Sequence, residues 1–298
     1  MRLTAPADPS LANGRFPIQQ GCLSEVHLNR RPTLALLRVR RHSVWHFEGA
    51  SMQADNVLAM LPGSDPVLKD QCVVVSVHLD GWGIGEPWHG DRIYNGTLDD
   101  AAYVATLIEL AAQLHDSPRR PRRCVLFAVF TAEEEGMLGS QYFMQHPTIP
   151  KEHLVADINL DALRPIFPLK LMTVLGLSDS TLGETAQIVA ASLGIRTQAD
   201  PEPDRLLLSP SDQISFLKAG VPSVAFVFGY KRGSAEERIY RKWYKQRYHS
   251  PADDLTQPWD PSAGATFNEF FYRLLDEVAN ADARPEWRPG SSFLPNRV

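Results

Sequence analysis

Short apolar runs that alternate with helical patterns restrict the fold of this chain more than any other feature. Cys72–Val77 and Cys124–Phe130 are rich in β-branched and aromatic residues without polar alternation, which is typical of strands buried on both faces. The same pattern recurs more weakly at residues 155–160, 169–174 and 221–228. Such strands occur mainly in parallel sheets that helices cover on each side.

Between these runs lie segments with the spacing of amphipathic helices. Asp100–His115 repeats apolar residues at three- and four-residue intervals, and Ser178–Leu193 begins with capping residues and ends before Gly194. Ser262–Ala281 has the same periodicity. The sequence therefore predicts an α/β fold, a three-layer sandwich in which helices flank a mixed, mostly parallel central sheet.

The chain has 298 residues, enough to bury a large core, and its composition disfavours several classes of protein. Its 30 Lys and Arg against 35 Asp and Glu give a net charge of −5, which argues against a nucleic-acid-binding function. No run approaches the roughly 18 apolar residues of a membrane span. Because Met1–Pro6 lack the apolar stretch of a secretory signal, either the protein stays in the cytoplasm or the chain begins downstream of its natural start.

The three cysteines, Cys22, Cys72 and Cys124, cannot all pair within one chain. Cys72 and Cys124 each begin one of the two most apolar runs. Because unpaired cysteines are among the most buried residues of protein cores, we expect these two to be buried free thiols.

Acidic residues and histidines follow the predicted strands directly, at the sheet edge where ligands bind in such folds. A lone His-x-Asp is more often a histidine hydrogen-bonded to a loop, and a run of glutamates can be a solvated turn. Adjacent carboxylates beyond a buried strand repel one another, however, unless cations lie between them. The residues in question are His78, Asp80, Glu133, Glu134, Glu135 and Asp161.

Two further segments add possible ligands. Asp99 and Asp100 precede a helix, where one aspartate could be the N-cap while the other would remain unexplained. Tyr248 and His249 lie in a loop, because Pro251 prevents a regular helix there. Together the segments offer nitrogen and oxygen donors, a carboxylate that can bridge two ions and another that can accept a proton. A two-metal hydrolase needs this combination.

These segments resemble the motifs of the co-catalytic zinc aminopeptidases, peptidase family M28, which also includes the glutaminyl cyclases. The most specific motifs are Ala-Glu-Glu-x-Gly-x-Leu-Gly-Ser at residues 132–140 and Tyr-His-Ser-Pro at residues 248–251. The resemblance extends over roughly residues 54–294. It implies that residues 51–298 form a metallopeptidase catalytic domain, on which residues 1–50 pack as an N-terminal extension and first strand.

The resemblance also implies a role for each residue. In the family, the peptide bond after the bridging aspartate is cis, which here would be Asp99–Asp100. Among the other residues, Glu133 would be the general base, Tyr248 a hydrogen-bond donor to the oxyanion and Asp80 the residue that orients His78. The metal ligands would be His78 and Asp161 for one zinc ion, Glu134 and His249 for the other, and Asp99 as the bridge.

These roles imply an aminopeptidase that acts on a peptide, or a small peptide-like substrate, with a free N-terminus. A hydroxide that bridges two zinc ions would attack the carbonyl while Glu133 accepts its proton, and Mn or Co could replace zinc. The resemblance also suggests a secreted or periplasmic location. Two alternatives stay open: a single-zinc enzyme like the glutaminyl cyclases, and a catalytically silent binding module on the same fold.

The chain departs from the family pattern in three segments, residues 99–105, 159–162 and 211–213. Tyr103 stands where the family usually has glycine, Ala162 where it has methionine and Gln213 where it has histidine. None of them is a predicted ligand, so we expect a changed pocket shape rather than a loss of metal binding.

Two basic segments do not need a role in nucleic-acid binding or metal binding. Residues 230–247 are interpreted as a basic, aromatic loop that forms a rim over the site, because they directly precede Tyr248. The run Pro-Arg-Arg-Pro-Arg-Arg at residues 118–123 is interpreted as a solvated turn between a helix and a strand.

Overall fold

The computed structural model describes residues 42–47, 50–161, 164–203 and 211–294, with the backbone alone described for residues 42–47 and 50–53. Cys22, Ala162 and most of the expected N-terminal extension lie outside these ranges. The expected domain boundary at residue 50 therefore stays a prediction. Within the described ranges, no helix is both long enough and apolar enough to cross a bilayer.

Eleven strands are described, and seven of them form the central sheet. In chain order they are β1 His42–Phe47, β2 Ala50–Asp55, β3 Val57–Leu61, β4 Cys72–His78, β5 Gly83–Trp88, β6 Asp91–Tyr94, β7 Cys124–Phe130, β8 Leu154–Asn159, β9 Leu171–Leu175, β10 Arg196–Gln198 and β11 Ser223–Phe228. The order across the central sheet is β10-β9-β11-β8-β4-β7-β3. Four neighbouring pairs are parallel, while β3 with β7 and β9 with β11 are antiparallel. The predicted mixed, mostly parallel sheet is confirmed.

Helices cover both faces of this sheet, which completes the predicted three-layer sandwich. Side chains of a strand point alternately to opposite faces, so Val73, Val75 and Val77 join one apolar cluster while Val74 joins the other. The first cluster includes side chains of α1, α3, α5 and α6, and the second includes side chains of α2 and α4. The helices are α1 Ala102–Asp116, α2 Leu138–Gln145, α3 Thr181–Ser192, α4 Gln213–Lys218, α5 Ala235–Gln246 and α6 Pro261–Asn280.

The basic, aromatic segment is a helix, so its interpretation as a loop is wrong. It begins after Ser234, whose hydroxyl accepts a hydrogen bond from the N–H of Glu237. Tyr240 and Trp243 are buried on the inner face, while Lys242 and Lys245 are exposed. The many charged residues on the outer face obscured the helical periodicity in the sequence.

The arginine run at residues 118–123 ends in a buried residue, so its interpretation as a solvated turn is also wrong. Arg123 is fully buried and donates hydrogen bonds to the carbonyl oxygens of Val278, Ala281 and Asp282 at the end of α6. These carbonyl groups have no partner within the helix, and the guanidinium supplies one. Arg123 therefore ties the end of α6 to the start of β7.

Cys72 and Cys124 are both buried, but the expectation of free thiols is wrong because they form a disulfide. The parallel pairing of β4 with β7 places the two residues directly opposite each other. They are 52 residues apart in sequence, so this pairing follows from the register of two strands and not from a local pattern.

A buried polar network joins three central strands. Asp157 of β8 accepts hydrogen bonds from the hydroxyl groups of Ser76 and Ser223, at 2.8 and 2.5 Å, and Asn159 donates one to Ser76. Burial raises the pKa of Asp157 to about 7, although the two serine hydrogen bonds act in the opposite direction. The carboxyl group therefore keeps its proton in mildly acidic solution.

This raised pKa predicts a pH-dependent stability. In the unfolded chain Asp157 ionises near the ordinary aspartate pKa of 3.8, while the folded group stays protonated to about 7, so the free energy of unfolding falls between these pH values. Asp157→Asn should remove this contribution, on the order of 4 kcal/mol. Urea unfolding across this pH range measures it, with exposed Asp70→Asn as the control. Parallel pH profiles for Asp157→Asn and the unchanged protein would contradict the assignment.

Candidate metal centre

The carboxyl ends of the central strands bring most of the predicted site residues to the wall of one cavity of about 210 Å³, while His78 and Asp80 lie behind that wall. Because β4 lies between β7 and β8, the residues that follow these three strands become neighbours. The turn at residues 97–101 and the segment after α5 add the remaining groups. The cavity is lined by Trp82, Asp99, Glu133, Glu134, Gly136, Met137, Asp161, Arg164, Tyr244, Tyr248 and His249.

The five predicted metal ligands form two sets that share Asp99. In the first set, Nε2 of His78 lies 3.3 Å from Oδ1 of Asp99 and 3.8 Å from Oδ1 of Asp161. In the second, Nε2 of His249 lies 3.4 Å from Oδ2 of Asp99 and 3.1 Å from Oε2 of Glu134. Within each set, all ligand atoms lie within 4.8 Å of one another. The two oxygens of Asp99 thus face different histidines.

Several of these atoms lack the hydrogen bonds that burial normally requires. Among the described residues, Nε2 of His78, Nε2 of His249 and Oε1 of Glu134 are buried without a hydrogen-bond partner. Leaving a buried polar atom in this state costs roughly 1–3 kcal/mol. A divalent cation in each set would give all three atoms a partner, and imidazole with carboxylate suits zinc, manganese and cobalt. The residues present therefore fit a two-metal centre.

The charges in the cavity also favour bound cations. Burial, and then the nearby charge of Asp161, raises the pKa of Glu133 to about 9. Burial alone would also raise the pKa of Asp99, but Arg164 and the two histidines hold it below its usual value. The carboxylates repel one another in this enclosed space, and bound cations would relieve that repulsion.

Asp80 links the ends of two strands beneath the site. Its carboxylate accepts hydrogen bonds from the backbone N–H groups of Glu133 and Glu134, at 3.0 and 3.1 Å. Its carbonyl oxygen lies 3.1 Å from Nδ1 of His78, and its carboxylate is more distant, at 3.8 Å. A proton assigned to Nδ1 would leave the lone pair of Nε2 directed at Asp99 and Asp161. Asp80 therefore contacts His78 mainly through its backbone.

Backbone conformation also sets the position of the ligands. The peptide bond between Asp99 and Asp100 is cis, as expected. Asp100 is buried, and its carboxylate accepts a hydrogen bond from the backbone N–H of His78 at 3.2 Å. His249 has a φ of 51°, a left-handed conformation that costs a non-glycine residue roughly 1–2 kcal/mol. Strain of this kind is common at functional sites.

The remaining predicted groups lie where they can contact a substrate. Glu133 lines the cavity but belongs to neither ligand set, whereas Glu135 is exposed. Tyr248 lines the same cavity, with its ring stacked on that of His249 at a centroid distance of 3.6 Å. A second aromatic neighbour is Tyr244, at a centroid distance of 4.2 Å. These two tyrosines and Trp82 form the aromatic wall of the site.

Arg164 is a site residue that the sequence did not reveal. Its side chain is 1% exposed, one of its terminal nitrogens lies 3.5 Å from Oδ2 of Asp99, and its guanidinium packs over the ring of Trp243 at 4.8 Å. It lies outside any strand or recognisable motif. Its guanidinium lies between Trp243 of α5 and the shared carboxylate, a contact that depends on tertiary packing.

Two of the departures from the family pattern, Tyr103 and Gln213, lie in the described part of the chain, and both are buried. Tyr103 is buried in α1 and makes an edge-to-face contact with Phe267, at a centroid distance of 6.4 Å. Gln213 is buried at the start of α4, after the fully buried Asp212. Among the described residues, neither Tyr103 nor Gln213 lines the cavity. An effect of either residue on the substrate pocket would therefore be indirect.

Comparison with known proteins gives the chain a family. The model of peptidase family M28 matches residues 56–274. Leupeptin-inactivating enzyme 1 of Streptomyces exfoliatus is 26% identical over 257 residues, which cover 83% of this chain and 53% of that protein. Carboxypeptidase Q of Mus musculus is 32% identical over 112 residues, 37% of this chain and 22% of that protein. The chain thus spans about half, or less, of the length of these relatives.

Solved structures share the fold at low sequence identity. The zinc aminopeptidase BSAP from Bacillus subtilis superposes with a TM-score of 0.60 at 20% identity, covering 80% of this chain and 53% of that chain. The glutaminyl cyclase of Porphyromonas gingivalis superposes with a TM-score of 0.60 at 18% identity, covering 80% of this chain and 83% of that chain. The expected zinc-exopeptidase-like architecture is confirmed.

The shared carboxylate predicts a specific pattern of metal binding. We expect the protein to bind two zinc ions, Asp161→Ala to bind one tightly, and Asp99→Ala to weaken both sites, because Asp99 belongs to both sets. Elemental analysis after dialysis and calorimetric titration with zinc measure the stoichiometry. Exposed Glu135→Gln is the matched control. Equal metal content in Asp99→Ala and the control would rule out the arrangement.

The contact between Arg164 and Asp99 predicts that zinc binding compensates for the loss of this arginine in the free energy of unfolding. Arg164→Met should lower the free energy of unfolding of the metal-free protein by roughly 3 kcal/mol, because it leaves Asp99 without its buried cationic neighbour. Added zinc should restore part of this loss, since it supplies positive charge at the same carboxylate. Urea unfolding with and without zinc measures both effects. Exposed Arg119→Met serves as the control, and equal unfolding curves for the two variants would contradict the prediction.

Proposed function

This chain belongs to peptidase family M28, and on that basis we propose that it is a two-zinc aminopeptidase that removes N-terminal residues from peptides. The main support is the pair of ligand sets that share Asp99, because each set offers one imidazole and two carboxylates to a separate cation. A zinc aminopeptidase among the proteins of similar fold is consistent with this proposal.

The residues that line the cavity favour a free amino group over a free carboxylate as the recognised end of the substrate. They include Asp99, Glu133, Glu134 and Asp161. Apart from His249, the cation among the described lining residues is Arg164, which is buried against Asp99. A carboxypeptidase needs an accessible cation to bind the terminal carboxylate. Asp99, Glu134 and Asp161 would be occupied by the cations, which could coordinate the free amino group of the substrate, while Glu133 is the lining carboxylate outside both ligand sets.

In the proposed reaction, Glu133 is the general base. It lines the cavity outside both ligand sets, so its carboxylate can take a proton from the attacking water and pass it to the leaving amine. Tyr248 would donate its hydroxyl hydrogen to the oxyanion that forms on the substrate carbonyl. Zinc ions held by His78, Asp99, Glu134, Asp161 and His249 would supply Lewis acidity at the carbonyl and lower the pKa of water.

Asp80 would be a positioning residue in this reaction. Its hydrogen bonds to the backbone of Glu133 and Glu134 hold the general base and a metal ligand in fixed relation. The same residue contacts His78 in the other ligand set. One residue thus connects both sets to the base, through its carboxylate on one side and its carbonyl oxygen on the other, although it does not line the cavity.

The second candidate is a glutaminyl cyclase, since one such enzyme has a similar fold. A single zinc ion would need only one ligand set, and it would leave buried atoms of the other set without partners. The two complete sets therefore favour the aminopeptidase. A binding module without activity would have no need for a free Glu133 beside the two sets.

Glu133→Gln separates these possibilities. We expect the unchanged protein, loaded with zinc, to hydrolyse leucine p-nitroanilide, and Glu133→Gln to lower kcat by about 10²–10⁴-fold while retaining its zinc. Absorbance of released nitroaniline measures the rate. Exposed Glu135→Gln should keep its activity, since its side chain lies outside the cavity.

Other outcomes would overturn the proposal. One zinc ion per chain, with cyclisation of N-terminal glutamine detected by mass spectrometry, would indicate the cyclase. Two zinc ions with no turnover of nitroanilides, peptides or N-terminal glutamine would indicate a binding module. Release of C-terminal residues alone would indicate a carboxypeptidase.

A further inference from the structure

Exposed apolar side chains are concentrated in the segment that precedes Asp99. Thirteen large apolar residues are exposed in the described part of the chain, and five of them lie within residues 79–93. This segment contains the hairpin formed by β5 and β6. Grouped apolar exposure of this kind marks binding surfaces, whereas single exposed residues are ordinary. The five residues are Leu79, Trp82, Ile84, Trp88 and Ile93.

The base of this hairpin is part of the wall of the metal centre. Trp82 lines the cavity, and its ring lies 4.8 Å from that of His249. The same side chain is 53% exposed, so it extends from the cavity to the surface. Tyr94, at the end of β6, lines a small recess together with Trp82, Asp99 and Glu134. The hairpin surface is therefore continuous with the site.

The two strands present an apolar pair to solvent. Ile84 and Ile93 oppose each other in the hairpin register, so both side chains lie on one face, and they are 75% and 58% exposed. Tyr94 packs closely over Gly85, where a Cβ atom would lie only 2.6 Å from the tyrosine ring. Its ring thus holds the hairpin together without covering the isoleucines.

The backbone edges of the hairpin are a second feature of this surface. In the part of the chain that the structure describes, neither β5 nor β6 pairs with a third strand. A two-stranded hairpin is only marginally stable in water, and an extended peptide that adds to its edge supplies backbone hydrogen bonds as well as apolar contacts. An extended peptide is therefore the ligand that suits both the edge and the exposed isoleucines.

We propose that the hairpin β5–β6 binds the part of a peptide substrate that follows the scissile bond, and that it selects extended apolar sequence there. This inference rests on the aminopeptidase function proposed above. The cavity, about 210 Å³, is smaller than the roughly 300–1,000 Å³ of pockets that enclose drug-sized ligands. A cavity of this size holds little more than the N-terminal residue, so the rest of the peptide must extend over the rim. There it would contact Trp82 first, and then Ile84 and Ile93.

Substrates that differ only after the scissile bond test this selection. The probes are leucine p-nitroanilide and the amidated peptides Leu-Ala-Val-Ile-Ala and Leu-Ala-Ser-Asn-Ala. We expect kcat/KM of the unchanged protein to be about tenfold higher for the apolar peptide than for the polar one. The double variant Ile84→Ser/Ile93→Ser should lose that preference. Its kcat/KM for the nitroanilide and the polar peptide should stay within about twofold.

Val67→Ser is the matched control, because Val67 is 80% exposed but precedes the amino end of β4, whereas the cavity lies at the carboxyl ends of the strands. It should leave all three rates unchanged. The inference is overturned if the unchanged protein treats both peptides alike, or if the double variant loses nitroanilide and peptide hydrolysis equally. It is also overturned if Val67→Ser reproduces the effect.

A binding measurement distinguishes failure of this inference from failure of the proposed function. Zinc-loaded Glu133→Gln protein is titrated with each peptide while tryptophan fluorescence is followed, since Trp82 and Trp88 lie in the hairpin segment. We expect the apolar peptide to bind about tenfold more tightly, and Ile84→Ser/Ile93→Ser to abolish the difference. Absence of nitroanilide hydrolysis by the unchanged, zinc-loaded protein would reject the aminopeptidase function. Equal affinity for the two peptides would reject the hairpin's role, whatever the catalytic result.

Discussion

The position of Asp99 between two histidines is the interaction on which the rest of the site depends. Its two oxygens face His78 on one side and His249 on the other, at 3.3 and 3.4 Å. A single carboxylate thus belongs to both ligand sets, and Arg164 supplies a buried cation beside it. The aminopeptidase proposal, the predicted metal stoichiometry and the proposed role of Glu133 all rest on this arrangement.

The fold makes that arrangement possible by placing β4 between β7 and β8. The ends of these parallel strands deliver a histidine, a pair of glutamates and an aspartate to the same edge of the sheet. Asp80 then joins the ends of β4 and β7 through hydrogen bonds to two backbone N–H groups. The apolar core beneath therefore fixes the geometry of polar groups that would otherwise repel one another.

The surface around the site divides into two kinds. Helix α5 buries Tyr240 and Trp243 and turns its basic residues to solvent, whereas the hairpin β5–β6 leaves apolar residues exposed. Both elements contribute aromatic side chains to the cavity wall, Tyr244 from α5 and Trp82 from the hairpin segment. The proposed exit of the peptide follows the apolar side, because apolar contacts there gain the most from burial.

The local sequence was sufficient for the features that depend on periodicity. The buried strands, α1, α3, α6 and the mixed sheet followed from apolar spacing, with bounds within a few residues of those observed. The candidate ligands also emerged from the sequence, because each follows a strand or lies in a specific motif. Helix α5 was missed, since its charged outer face masked the apolar positions that face the core.

Only the tertiary structure decided which distant residues meet. It paired Cys72 with Cys124 through strand register, buried Arg123 against the end of α6 and placed Arg164 beside Asp99. Each of these contacts joins segments far apart in the chain or lying outside any motif. The sequence by itself determined the elements and their chemistry, because these depend on neighbouring residues. Their partners depend on how the packed core positions strands and helices, which no local pattern specifies.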